Sequence, residues 1–234
     1  MAKNERIMPS VAGVGEKIAA SKKTVVREQG DTRVIKEDLT IYELQRVPGE
    51  SDVDYRQRRF EKSLQFIKKQ LENEERARRL LPERINAPHE FHLIAAGSDG
   101  FPAPFRVQER IAGQTLKTVG DLSSLTEDQK KDLDSLLRAS LEIFRKNGHF
   151  LDLVGRTEEE TKNPVEDIKK YWTPLENSNN IMISPDGTIS LVDVRLSRKS
   201  LLKGAVKFLL IFSYLYRRKL YSITPPPNSS PLSE

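Results

Sequence analysis

One short alternation broken by a turn constrains this chain more than any other feature in it. Ile181 and Ile183 alternate with Met182 and Ser184, Pro185-Asp186-Gly187 reverses direction, and Ile189 and Leu191 resume the alternation up to Val192. Period-two hydrophobicity on both sides of a turn predicts a β-hairpin. Asn180 stands at its entry and Asp193 at its exit. The two ends of a hairpin lie at one edge of a sheet, so an amide oxygen and a carboxylate come together there. Such a hard-oxygen pair suits Mg²⁺ and, through it, the phosphates of a nucleotide. The alternative is that the two residues merely cap turns.

Asn180-Ile181-Met182-Ile183, followed by Asp186-Gly187 and Leu191-Val192-Asp193, resembles the metal-binding hairpin of the protein-kinase-like superfamily. That superfamily includes aminoglycoside and choline phosphotransferases and bacterial lipopolysaccharide kinases. The resemblance implies ATP as the nucleotide, with Asn180 and Asp193 holding Mg²⁺ against it. It also implies an α+β, two-lobed fold. Residues 1–112 would form an antiparallel sheet with one long helix, and residues 113–222 a short, mainly helical lobe carrying the hairpin. The Pro- and Ser-rich residues 223–234 have the composition of a disordered tail. After Asp193 the chain departs from the pattern, with Val194-Arg195 in place of Phe-Gly.

Further along the resemblance, each landmark has a candidate residue. A hairpin is predicted from residues 23–28 and 32–37 across Gln29-Gly30-Asp31, with a strand before it near residues 16–20. Val34-Ile35-Lys36 is similar to the strand whose lysine grips the α- and β-phosphates, so Lys36 takes that role unless it is an ordinary exposed strand lysine. The glycine-rich loop has no clear counterpart: Gly13-Val14-Gly15 precedes the first strand, and the register puts Ser21-Lys22-Lys23 where the loop belongs. Phe60, Leu64, Ile67, Leu71 and Leu80-Leu81 predict a long helix over residues 54–81 with those side chains on its buried face. The resemblance makes Glu74, with Glu75 next, the partner that orients Lys36. Strands around residues 90–94 and 104–111 follow, and the second leads through Ala112-Gly113 into a segment similar to an interlobe hinge. Gln108, Glu109 and Ile111 would then line the adenine pocket.

Beyond the hinge, Thr126-Glu127-Asp128-Gln129 reads as a capping box that opens a helix closed by Asn147-Gly148. His149-Phe150-Leu151-Asp152-Leu153 stands where the family has its catalytic loop, which makes Asp152 the candidate base. The family spaces this Asp about five residues before the metal-binding Asn, and Asp152 is much further from Asn180. Either residues 157–176 loop out while Asp152 still reaches the site, or Asp152 is structural and the base is missing. Without an insertion Leu175 occupies the position, and Glu176 is a third possibility.

At 234 residues, with 37% hydrophobic and 31% charged side chains, the composition is that of an ordinary globular protein. It has no cysteine, and residues 1–6 lack the apolar run of a signal peptide, so a cytoplasmic location is expected. The apolar stretch 205–216 contains Lys207 and is too short for a membrane span of about 20 residues; it predicts a buried helix. A net charge of +5 suits an anionic ligand. Nucleic-acid binding ranks last, because no aromatics are interleaved with the basic residues for stacking. Two functions remain. One is an ATP-dependent phosphotransferase acting on a hydroxyl of a small molecule, a lipid or sugar, or a protein; the other is an inactive kinase-like scaffold that binds nucleotide or protein.

Overall fold

In the computed structural model, which describes residues 17–20, 24–155, 164–198 and 201–218, the chain begins as an antiparallel sheet. Strands β1 (Lys17–Ala20), β2 (Thr24–Gln29) and β3 (Arg33–Asp38) form a meander, and β4 (Glu90–Ala96) and β5 (Pro102–Glu109) complete the order β1-β2-β3-β5-β4. Because alternate residues of a strand share a face, register sorts the side chains into two layers. On one face Ile35, Phe105 and Val107 pack with Ile41, Ala95 and Ala103 into an apolar cluster. On the other, Lys36 pairs with Arg106 and Arg106 with His92, so a row of basic residue types crosses three neighbouring strands. Gln108 and Glu90 pair in the next row of that face.

Helix α1 (Asp52–Arg78) covers this polar face, with the Ser51 hydroxyl accepting from Asp54 N–H at its N-terminus. The helix itself is where its apolar spacing predicts it, but its buried side is not. Phe60, Leu64 and Leu71 remain 38%, 39% and 46% exposed, whereas Arg59, Ser63, Ile67, Glu74 and Ala77 are buried. The reason lies in the sheet: a face carrying Lys36, Arg106 and His92 has to be met by polar and small groups, since buried charge requires partners. Arg59 shows the pattern. Wholly buried, it donates to Asp99 Oδ2 at 2.8 Å, to the Pro102 carbonyl at 3.1 Å and to the Tyr55 hydroxyl at 3.2 Å. Arg59→Ala is expected to cost about 3 kcal/mol in urea unfolding, the low end for a broken buried pair, because Asp99 is partly solvated and can rehydrate.

The second half is mainly helical. Strand β6 (Gln114–Thr115) leads into α2 (Leu116–Val119), then α3 (Glu127–Asn147), whose N-terminus has the expected capping box from Thr126 and Gln129 and whose end is Gly148. Next come β7 (His149–Leu151), α4 (Pro164–Lys169), β8 (Ile181–Ile183), β9 (Ile189–Leu191), β10 (Leu196–Arg198) and α5 (Leu201–Arg218). The predicted hairpin is β8 and β9, with β6 added to its edge; β7 pairs with β10. Leu133, Leu136, Leu137 and Leu141 of α3 close over Phe150, Ile181, Leu191 and Leu215 as a second apolar cluster. Helix α5 buries Ile211, Tyr214 and Leu215 but leaves Leu209, Phe212 and Tyr216 exposed, so only one side of the expected buried helix is covered.

The architecture is therefore α+β, an antiparallel sheet with one long helix followed by a mainly helical part with a short hairpin, as expected. Among the described residues no helix is long and apolar enough to cross a membrane. Gly13-Val14-Gly15, Ser21-Lys22-Lys23, part of the looped segment (156–163) and the tail 223–234 lie outside the described residues.

Candidate functional site

Three chain segments converge at the mouth of the β8–β9 hairpin, and backbone hydrogen bonds bring them together. The Val192 amide donates to the Asn180 carbonyl at 2.8 Å, which closes the hairpin and sets Asn180 beside Asp193. The loop after β7 joins from the other side: Asp152 N–H donates to the Arg195 carbonyl at 3.1 Å, and Asn179 N–H donates to the Val154 carbonyl at 2.8 Å. Asn180 Nδ2 then donates to the Asp152 carbonyl at 2.7 Å. Asp152, Asn180 and Asp193 thus come to one place even though α4 and the residues before it intervene in sequence. Gly155 permits the closeness. At its φ of 69° a side chain is strained, and a Cβ there would lie 2.7 Å from Asn180 Oδ1.

The sheet reaches the same point through β5. Gln108 Nε2 donates to the Val192 carbonyl, and Arg106 Nη1 donates to Asp193 Oδ1 at 2.9 Å. Arg195 Nε lies 3.0 Å from the same oxygen, and Arg106 Nη1 is also 3.2 Å from Glu90 Oε2. Burial works to raise the Asp193 pKa but is outweighed by the guanidiniums of Arg106 and Arg195 and the Lys36 ammonium, which hold it far below the usual carboxylate range. Lys36 is affected in the opposite sense. Burial and then Arg106 bring its pKa down to about 7, against the pull of Asp193.

Glu74 is held elsewhere. Arg78 Nε donates to its Oε1 at 2.7 Å and His92 Nε2 is 3.4 Å from its Oε2, and among the described residues no ion pair joins it to Lys36. The physical reason is the strand order: β5, with Arg106, lies between β3 and β4, so a helix residue over His92 is two strands from Lys36. Burial works to raise the Glu74 pKa, but its neighbours, His92 first and Arg78 among them, bring it down to about 2. Glu75 pairs with Arg79 on the exposed side of α1. Glu176 accepts from the Tyr214 hydroxyl at 2.7 Å, which turns it towards α5, and Leu175 is core.

Beside this cluster opens a cleft of about 590 Å³, lined by Val34 and Lys36 from β3, by residues 108–113 and by Met182 and Val192 from the hairpin. Its size is within the usual range for small-molecule sites. Three of the residues expected around a base, Gln108, Glu109 and Ile111, are in its wall together with Lys36. Gly113 keeps the wall thin: at its φ of 140° a Cβ would lie 2.1 Å from the Ile183 carbonyl oxygen, so only glycine lets the link run against β8.

Mg²⁺ is usually bound through one or two carboxylates, completed by phosphate and water in near-octahedral geometry. Asn180 and Asp193 supply a single carboxylate, and its Oδ1 already accepts from Arg106 and pairs with Arg195 at 3.0 Å. Among the described residues no group of three or more His, Asp or Glu could hold a metal ion. A dication beside Asp193 would enter the field of Arg106, Arg195 and Lys36, so the residues present do not fit one. Arg106, Arg195, Glu90 and His92 are absent from the sequence-derived site. For Arg106, Glu90 and His92 the signal was polarity at alternate positions of strands, which acquires meaning only once the strand register is known; Arg195 lies in the loop before β10.

No family model and no curated protein matches the chain. Solved structures similar to it include WbdD, at 18% identity over 76% of this chain and 31% of that one, with a TM-score of 0.35. A second WbdD structure, described as a bifunctional kinase-methyltransferase, shares 15% identity over 84% of this chain and 42% of its own, with a TM-score of 0.36. The chain thus spans less than half the length of these WbdD chains. A GDP and kanamycin complex of APH(2")-IIia shares 14% identity over 88% of this chain and 79% of its own, also at a TM-score of 0.36.

Proposed function

We propose that the chain binds a nucleotide in the cleft between sheet and hairpin and transfers its terminal phosphoryl group to a hydroxyl. The observation that carries this reading is the cleft itself. Val34 from β3 and Met182 from β8 both line it, apolar side chains that a flat base can pack against, and Lys36 lines the same space as a phosphate ligand. The amides of Glu109 and Arg110 are committed to the carbonyls of His89 and Thr32, at 2.8 Å each. A base is therefore read by carbonyls of the link or by amides beyond Arg110. In the transfer, the acceptor oxygen bonds to the γ-phosphorus as the bond to the bridging oxygen breaks. A nucleoside diphosphate leaves, and Asp152 takes the hydroxyl proton.

A second reading, nucleotide binding without transfer, is favoured by one observation: both guanidiniums on Asp193 Oδ1 occupy the carboxylate that a kinase of this type gives to metal. Calorimetry with ATP tests the part common to both. Wild type should bind, and Lys36→Ala should bind about tenfold or more weakly, since a charge-assisted contact contributes about 1.5–3 kcal/mol. Absence of binding by the wild type would end both readings.

The same titration has a predicted pH dependence. A bound phosphate favours charged Lys36 and raises its pKa from about 7, so binding takes up a proton. Affinity should accordingly fall as pH rises through about 7, and Lys36→Arg should flatten the profile. A flat wild-type profile would count against contact between Lys36 and phosphate.

A further inference from the structure

We infer that this cleft takes its nucleotide without a divalent cation, with Arg106 and Arg195 neutralising Asp193 while Arg195 and Lys36 meet the phosphates directly. The inference rests on the nucleotide-binding reading above and concerns the chemistry of that same site. In phosphoryl-transfer sites of the expected kind, the metal bridges phosphate oxygens and is itself anchored by a carboxylate. Here the anchor is taken. Arg106 is only 5% exposed, and its Nη1 spans Asp193 Oδ1 at 2.9 Å and Glu90 Oε2 at 3.2 Å, with strand β3 on one side and β4 on the other. Swinging it aside would take from buried Glu90 its nearest cation and leave Asp193 in contact with Arg195 alone, which is unfavourable.

Lys36, Arg106 and Arg195 also border a separate cavity beneath α1 of only about 20 Å³, room for about one water. Around it the basic groups Lys36, Arg106 and Arg195 face the carboxylates Asp193, Glu90 and Glu74. Arginine is well suited to the substitution, because its planar fork donates two parallel hydrogen bonds to phosphate oxygens and never loses its charge. Arg195, with 28% of its side chain exposed, is the member of the pair that can offer its remaining N–H groups to a ligand.

The test is to titrate the protein with ADP and with ATP in buffer containing EDTA and in buffer containing Mg²⁺, and with Mg²⁺ alone. The expected result is the same affinity in the two buffers within about threefold, and no heat from Mg²⁺ alone. In Arg195→Gln, affinity should fall about tenfold in EDTA, the size of one charge-assisted contact to phosphate. Loss of wild-type affinity by tenfold or more in EDTA would overturn the inference while leaving the nucleotide reading intact, as would unchanged affinity of Arg195→Gln in EDTA. No binding in either buffer would remove the nucleotide reading and the inference together.

Discussion

Asp152→Asn should lower phosphoryl transfer by about 10²-fold or more and leave nucleotide affinity nearly unchanged, because general-base catalysis is typically worth about 10²–10⁴. The expectation depends on where the loop after β7 lies. Two backbone bonds, Asp152 N–H to the Arg195 carbonyl and Asn179 N–H to the Val154 carbonyl, hold that loop beside Asn180. Asparagine preserves the size and backbone of the site and removes only the proton acceptor. A fall in kcat with little change in KM would therefore separate loss of a base from loss of structure. ATP hydrolysis or autophosphorylation is a sufficient assay, run with and without Mg²⁺. Equal rates in wild type and variant would discard Asp152 as the base. No turnover in either, with ATP still bound, would leave the non-catalytic reading in place.

The parts of this site that were legible in the sequence are those built from neighbouring residues. A period-two alternation across Pro185-Asp186-Gly187 is a local signal, and β8 and β9 follow it; the capping box at Thr126 and Gln129 is equally local, and α3 begins there. Helix α1 was legible as a helix but not as a surface. Its charged and apolar residues both recur at helical spacing, and which set is buried depends on what the sheet presents. The sheet presents Lys36, Arg106 and His92, residues far apart in the chain that become neighbours only through the order β3-β5-β4. The same order governs Glu74. Position after the third strand suggested a lysine partner, and the intervening strand gave the glutamate to His92 and Arg78. Asp152 stands far from Asn180 along the chain, but the Ser178 and Asn180 side chains and the Asn179 amide donate to the carbonyls of residues 152–154 and carry the loop across the gap.

Removing the guanidinium that organises this row should have the largest effect on stability. Arg106→Met is expected to cost about 3–5 kcal/mol, the range for taking one partner from a buried ion pair. Methionine fills much of the volume, so the loss is electrostatic: buried Glu90 loses its nearest cation and Asp193 keeps only Arg195 in direct contact. The sign of the pH dependence distinguishes this cause from a packing defect. In wild type the depressed pKa of Asp193 contributes stability above its unfolded value of about 3.8 and loses it as pH falls towards the folded pKa. In the variant, burial is less opposed and pushes the pKa values of Asp193 and Glu90 up, so protonation relieves the penalty and the variant recovers stability on acidification. Urea midpoints at pH 5.5 and pH 8 should show a smaller gap between variant and wild type at the lower pH, and Glu90→Gln in the Arg106→Met background should recover part of the loss at pH 8. A gap independent of pH and untouched by the second substitution would mean that Arg106 acts through packing, and that Asp193 does not depend on it for charge.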